Sequence, residues 1–178
     1  TYDYSNYNSE DFIAYVSQSF RNYGSYADGS NVTMRNSQFE DYQTKLVMAQ
    51  KWNDCNSTEA NFQYYEGKDI GIPGTGTAPI PAAADLTYPA IRRGMINLTH
   101  TYNPDFTYYK QAIFNVYYQY IDRRAELDNF PSVSPMDQVD PGANHYTYGT
   151  KWQNDIEWEN HKIITGIDVW ERQLESFR

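Results

Sequence analysis

A chain of 178 residues has the length of one domain, and 40% hydrophobic with 21% charged residues excludes wholesale disorder. The net charge of −9 disfavours a phosphate backbone or an anionic lipid surface as partner. No run of 18 apolar residues offers a helix that crosses a bilayer.

Residues 1–8, with three tyrosines among small polar residues, read as an N-terminal arm. Ser9 caps a first predicted helix, with Glu10 and Asp11 in its first turn, Phe12, Val16, Phe20 and Tyr23 as its stripe and Gly24 as its end. Asn36 or Ser37 caps a second, whose stripe is Phe39, Tyr42, Leu46, Ala49 and Trp52. Ser57-Thr58-Glu59 opens a short third helix that carries Phe62 and Tyr65.

Residues 67–89 differ in kind. Pro73, Pro79 and Pro81 forbid a regular helix there and the glycines resist a strand, so an extended segment is expected. Pro89 then suits the first turn of a short helix to His100. Asn103-Pro104-Asp105 is a helix start signal, and the helix it opens is expected to run to about Asp128. Phe106, Tyr109, Ile113, Val116, Tyr120 and Leu127 form one of its stripes. Phe114, Tyr117, Tyr118, Ile121 and Ala125 form a second, making an apolar arc wider than one core face needs. Lys110 and Arg124 fall inside that arc as candidate interface anchors.

Residues 129–149 form the second expected extended connection, with Pro131, Pro135 and Pro141-Gly142. A last helix follows. Trp152, Ile156, Ile163, Ile167, Trp170, Leu174 and Phe177 fall at steps of 3, 4 and 7, the seam of a helix packed lengthwise on another.

Candidate chemistry is sparse. Gly71, Gly74 and Gly76 lack the strand, helix and Lys-Ser/Thr that a phosphate loop needs. His100, His145 and His161 have no second His or Cys at zinc-ligand spacing, and the single cysteine, Cys55, permits no internal disulfide. No catalytic residue, cofactor site or metal site is assigned, and no enzymatic activity is expected. Three sequons, at Asn31, Asn56 and Asn97, are candidate glycosylation sites. The chain opens on Thr1, as it would after removal of a targeting segment.

Residues 103–177 resemble subunit d of the mitochondrial ATP synthase peripheral stalk. The resemblance lies in Asp105-Phe106, Tyr108-Tyr109-Lys110, a Pro-rich connection over 131–140 and a terminal segment with Trp152 near its start. It implies a soluble, acidic, helical, non-catalytic subunit in an organelle, with the mitochondrion favoured.

The expectation is therefore an all-α single domain over 1–178: four to five helices in antiparallel pairs, two extended connections and an arm. The 17% aromatic content, with 18 tyrosines, suits half-wet contact surfaces. The function expected is a structural or accessory subunit of a larger assembly, with other protein subunits as partners and neither nucleic acid nor a transmembrane segment of its own. Its interface candidates are Tyr109, Lys110, Phe114, Tyr117, Tyr118 and Ile121, with Arg124, Trp152 and Trp170. The alternative is a secreted, N-glycosylated ligand- or carbohydrate-binding protein.

Overall fold

The computed structural model describes residues 1–73, 84–130 and 138–177. They form eight strands: β1 (Tyr2–Asn8), β2 (Phe12–Tyr23), β3 (Phe39–Asn53), β4 (Asn56–Ile72), β5 (Asp85–Tyr102), β6 (Tyr109–Asp128), β7 (Gly142–Trp158) and β8 (His161–Phe177). Each pairs antiparallel with its neighbour in sequence, giving one sheet in the order β1 to β8. No α-helix occurs among the described residues.

The all-α expectation is thus overturned, and with it the antiparallel helix pairs, the terminal helical seam and the free arm. Residues 2–8 are a paired edge strand, and the supposed seam divides between β7 and β8 around a turn at 159–160. Of the two supposed extended connections, 67–72 belong to β4, 85–89 to β5 and 142–149 to β7. Residues 74–83 and 131–137 lie outside the described residues.

The misreading has a physical cause. Residues four apart share a face in a helix and in a strand alike. Phe12, Val16 and Phe20 therefore make a helical stripe on paper and one face of β2 in the sheet. In β6 the run Phe114, Val116, Tyr118, Tyr120 keeps strict alternation. Splitting it into two helical stripes produced the over-wide arc, which is the two faces of a strand added together. The chain's many Tyr, Val, Ile, Thr and Trp residues also prefer a pleated surface.

The strand connections are segregated by length. At one end lie residues 9–11, 54–55, 103–108 and 159–160; at the other lie 24–38, the β4 end and β5 start at Ile72 and Asp85, and the β6 end and β7 start at Asp128 and Gly142. Two turns have two residues, 54–55 and 159–160, and the latter puts Glu159 at φ 53°. At the 54–55 turn, Asn53 Oδ1 accepts from the Cys55 amide at 3.0 Å and from Asn56 Nδ2 at 2.9 Å, closing a side-chain-capped loop.

A single sheet has nothing to bury itself against. The only buried hydrophobic residue is Ala84, and no large side chain is fully buried among the described residues. The accessible surface is 12166 Å², where a compact globule of this mass exposes roughly 8,900 Å². The sheet's apolar side chains are not covered by any second layer among the described residues.

The 24–38 connection is fastened back onto the sheet. Asn36, at φ 57°, donates through Nδ2 to the Leu86 carbonyl at 2.6 Å, and its Oδ1 accepts from Thr87 Oγ1 at 3.3 Å. The Gly71 amide donates to the Gln38 carbonyl at 2.9 Å. Gly71 is needed there: a Cβ would stand 2.5 Å from the Asn36 carbonyl oxygen. Arg35 adds an ion pair to Asp85 at 2.5 Å, and Asn129 reaches the same carboxylate at 2.8 Å.

Candidate functional site

The register sorts the side chains into two chemically different faces. On one, cross-strand rows read Val16, Leu46, Phe62, Ile96, Tyr118, Tyr148 and, next to it, Ala14, Met48, Ala60, Leu98, Val116, Thr150, Val169. On the other face, rows read Lys45, Gln63, Met95, Gln119, Thr147, Arg172 and Glu59, Thr99, Asn115, Lys151, Asp168. The first face is an apolar band, free of charge from β2 to β7 across these two rows, with Glu171 of β8 opposite Tyr148 at the end of the first; the second is mainly polar, with Val47, Tyr117 and Trp170 in the row between the two. The band is uncovered: Ile96 is 52% exposed, Leu98 43% and Ile167 62%.

Aromatics border the band on both sides. Toward the long connections the next row holds Tyr64, Tyr120 and Tyr146, with the last two rings 5.4 Å apart. Toward the short turns the row holds Phe12, Phe114 and Trp152. Trp52, in the bulge of β3, donates through Nε1 to Thr58 Oγ1 at 2.8 Å, and Thr58 meets His100 Nδ1 at 3.0 Å. Rings with a polar tip belong where an apolar layer ends and water begins.

Beyond the tyrosine row the same face becomes charged. Glu66, Arg92 and Asp122 stand in one row, with Lys68 and Arg124 one row further out. Arg92 Nε donates to Glu66 Oε1 at 2.9 Å, and Arg92 Nη1 lies 3.6 Å from Asp122 Oδ2. At the opposite end, in the 54–55 turn, Lys51 Nζ lies 2.6 Å from Asp54 Oδ1 and holds that exposed carboxyl below its ordinary range.

The polar face is knit by amides and an ion pair. Asn115 Nδ2 donates to Thr99 Oγ1 at 2.8 Å and also to Asn97 Oδ1. Arg21 forks onto Asp41, whose carboxylate is buried beside Tyr65. No group of three His, Cys, Asp or Glu residues positioned for a metal occurs among the described residues.

The structure does not gather the nine interface candidates. Phe114, Tyr118 and Trp152 sit on the apolar face and Arg124 on its charged rim, whereas Tyr117, Ile121 and Trp170 sit on the polar face. Tyr109 donates to Asn154 at 2.5 Å, and Lys110 occupies a bulge between Tyr109 and Gln111. Of the sequons, Asn31 lies in the 24–38 connection, Asn56 in the 54–55 turn network and Asn97 in mid-strand, held by Asn115. Gly74 and Gly76 lie outside the described residues. What sequence reasoning passed over is the alternation itself, visible in Phe62 to Tyr65 and in Phe114 to Tyr120 once read at period two.

The described residues form an open antiparallel meander of long strands, mainly apolar on one face and mainly polar on the other. In the comparison with solved structures 25 chains match, among them one titled copper transporter OprC. The similarity to it has a TM-score of 0.76 at 16% identity, over 95% of this chain and 25% of that one, and it concerns the fold. No family model and no curated protein matches the sequence.

These findings overturn the expectation of a helical accessory subunit. The resemblance to a peripheral-stalk subunit rested on helices over 103–177, where the chain has β6, β7 and β8. That no helix among the described residues is long and apolar enough to cross a membrane is a statement about helices alone. It is silent on strands, which need only about 9–11 residues each and keep every second one polar.

Proposed function

We propose that this chain forms an arc of a transmembrane β-barrel of outer-membrane type and serves as the wall of a transport protein. The observation that carries this reading is the uncovered apolar band, bordered by aromatics on both sides and backed by a polar face. In water such a band would drive aggregation; against lipid it is the required surface. Strands β4 to β8, with 17 to 20 residues, are long enough to cross a bilayer at barrel tilt. In this reading the polar face lines the lumen and the short turns lie on the periplasmic side.

A barrel wall must leave no open edge in lipid. β1 and β8 are not bonded to one another, and all 17 residues of β8 are exposed. Closure therefore calls for further strands at both edges, from this polypeptide or another. The reading assigns the chain no catalytic residue.

Single-cysteine labelling tests it. In a Cys55→Ser background, a polarity-sensitive fluorophore is placed at Ile96, Val116, Asn97 or Tyr117 of the full-length protein in bilayers. Brominated lipid should quench the first two positions and spare the last two. Equal quenching at neighbouring residues, or none at Ile96 and Val116, would sink the proposal.

A further inference from the structure

The charged rim of the apolar face is built unlike the rest of the sheet. Arg92 and Arg124 border a groove of about 480 Å³, which Ala90 and Phe177 also line. Ala90 stands opposite Arg124 in the pairing, so no long side chain fills the space between the two guanidinium groups. The Phe177 ring crosses Gly142 on the intervening strand and lies 5.9 Å from the Arg124 guanidinium. The stacked ring keeps the fork extended toward the groove.

The donors are only partly used. Arg92 commits Nε to Glu66 and turns Nη1 toward Asp122, leaving Nη2. Arg124 turns Nε toward Asp122 Oδ1 at 3.7 Å, leaving both terminal nitrogens. That Asp122 oxygen is buried and accepts no hydrogen bond among the described residues, so its charge serves mainly to hold the two arginines apart and in place. Lys68 lies 3.9 Å from Glu66, and the other carboxylates of these rows, Glu40 beside Lys68 and Glu175 on β8, stand at the ends of the rows away from the two arginines. The acids at the groove's far end, Glu126 and Asp140, are both engaged by Gln138 Nε2 at 2.9 Å.

The geometry points to a binding site for the phosphate of a membrane lipid headgroup, held by Arg92 and Arg124. The inference rests on the reading that the adjacent apolar band faces lipid. Two forks beside an open groove match phosphate oxygens, and the tyrosine row immediately below sets this height at the headgroup layer. A lipid is the favoured source of the phosphate because the groove opens on the face that carries the acyl-facing residues Ile96, Leu98 and Val116.

The test uses the full-length protein in nanodiscs of phosphatidylcholine with and without phosphatidic acid, and native mass spectrometry to read the lipid retained. Wild type should retain phosphatidic acid in preference to phosphatidylcholine, and the Arg92→Gln/Arg124→Gln variant should retain about tenfold less. Arg124→Gln alone, at a more exposed position, should lose part of the preference and guards against a fold defect in the double variant. Inorganic phosphate should compete poorly; full competition would make this a soluble-anion site and overturn the lipid assignment. Equal retention by wild type and the double variant would overturn the site while leaving the lipid face intact. Failure of the wild type to enter phosphatidylcholine nanodiscs would sink the lipid-face reading, and this inference with it.

Discussion

The ring of Tyr117 lies over Gly149 on the neighbouring strand, so close that a Cβ on Gly149 would stand 2.7 Å from the tyrosine oxygen and 2.8 Å from Cζ. Trp170 closes the other side, its own Cβ 2.8 Å from the same point. The three residues are successive partners across β6, β7 and β8 on the polar face. The glycine thus gives the large rings room on a mainly polar face, and the ring shields the bare backbone. Gly149→Ala should destabilise the sheet by roughly 1–3 kcal/mol, because Trp170 Cβ cannot swing away as the phenol can. Combining it with Tyr117→Ala should recover only part of the loss. Urea unfolding of the reconstituted protein reads both; an unchanged midpoint for Gly149→Ala would refute the packing argument.

The amphipathic character of the chain was legible in its sequence, and the period was not. Phe12, Val16 and Phe20 fit a helix and a strand equally, since four-residue steps keep a face in both. The decisive stretches were Phe114 to Tyr120, which alternates, and the compact Asn53 to Asn56 and Glu159-Asn160 breaks, which punctuate hairpins. A barrel strand signals more weakly than a transmembrane helix because half of its residues are polar by design. The abundance of tyrosine and tryptophan was legible, but not their placement: Tyr64, Tyr120 and Trp152 border the apolar band, whereas Trp170 and Tyr4 stand on the other face. The charged rim lay beyond sequence reasoning: Glu66, Arg92 and Asp122 are far apart in the chain, and only the strand register brings them into line.

Leu98 and Thr99 are adjacent in β5 and face opposite ways. Leu98 stands mid-band between Ala60 and Val116; Thr99 stands between Glu59 and Asn115. Leu98→Arg should cost about 2–4 kcal/mol in bilayers, the penalty for a cation near the midplane of a lipid-facing strand. Thr99→Arg should cost well under half of that, having Glu59 across the strand. Comparable losses at the two sites, measured by folding into vesicles against urea, would contradict the assignment of faces.

Asn36 ties the 24–38 connection to both β4 and β5 through one amide. Asn36→Ala removes the donor to the Leu86 carbonyl and puts a residue less tolerant of the left-handed region at φ 57°. The expected cost is roughly 1–3 kcal/mol, confined to this end of the sheet. Hydrogen exchange localises it: the Gly71 amide, bonded to the Gln38 carbonyl, should exchange faster, while the Asn97 amide in mid-β5 should not. Unaltered protection at Gly71 would show that the connection is held by its other contacts.

Glu159 adopts φ 53° in the two-residue turn between Trp158 and His161, a conformation that costs a side-chain-bearing residue about 1 kcal/mol or more. Glycine adopts it without that penalty. Nothing in the turn needs the glutamate, which makes no hydrogen bond or ion pair among the described residues. Glu159→Gly should therefore stabilise the protein by about 1 kcal/mol, while Asn160→Gly, where φ is not positive, should gain nothing and lose some backbone entropy. The pair is informative because β7 and β8 run in unbroken register up to this turn, so a gain at 159 transmits to a hairpin of 17 paired residues on each side. A thermal or urea midpoint that falls for Glu159→Gly would mean that the turn's conformation is set by something other than local backbone preference.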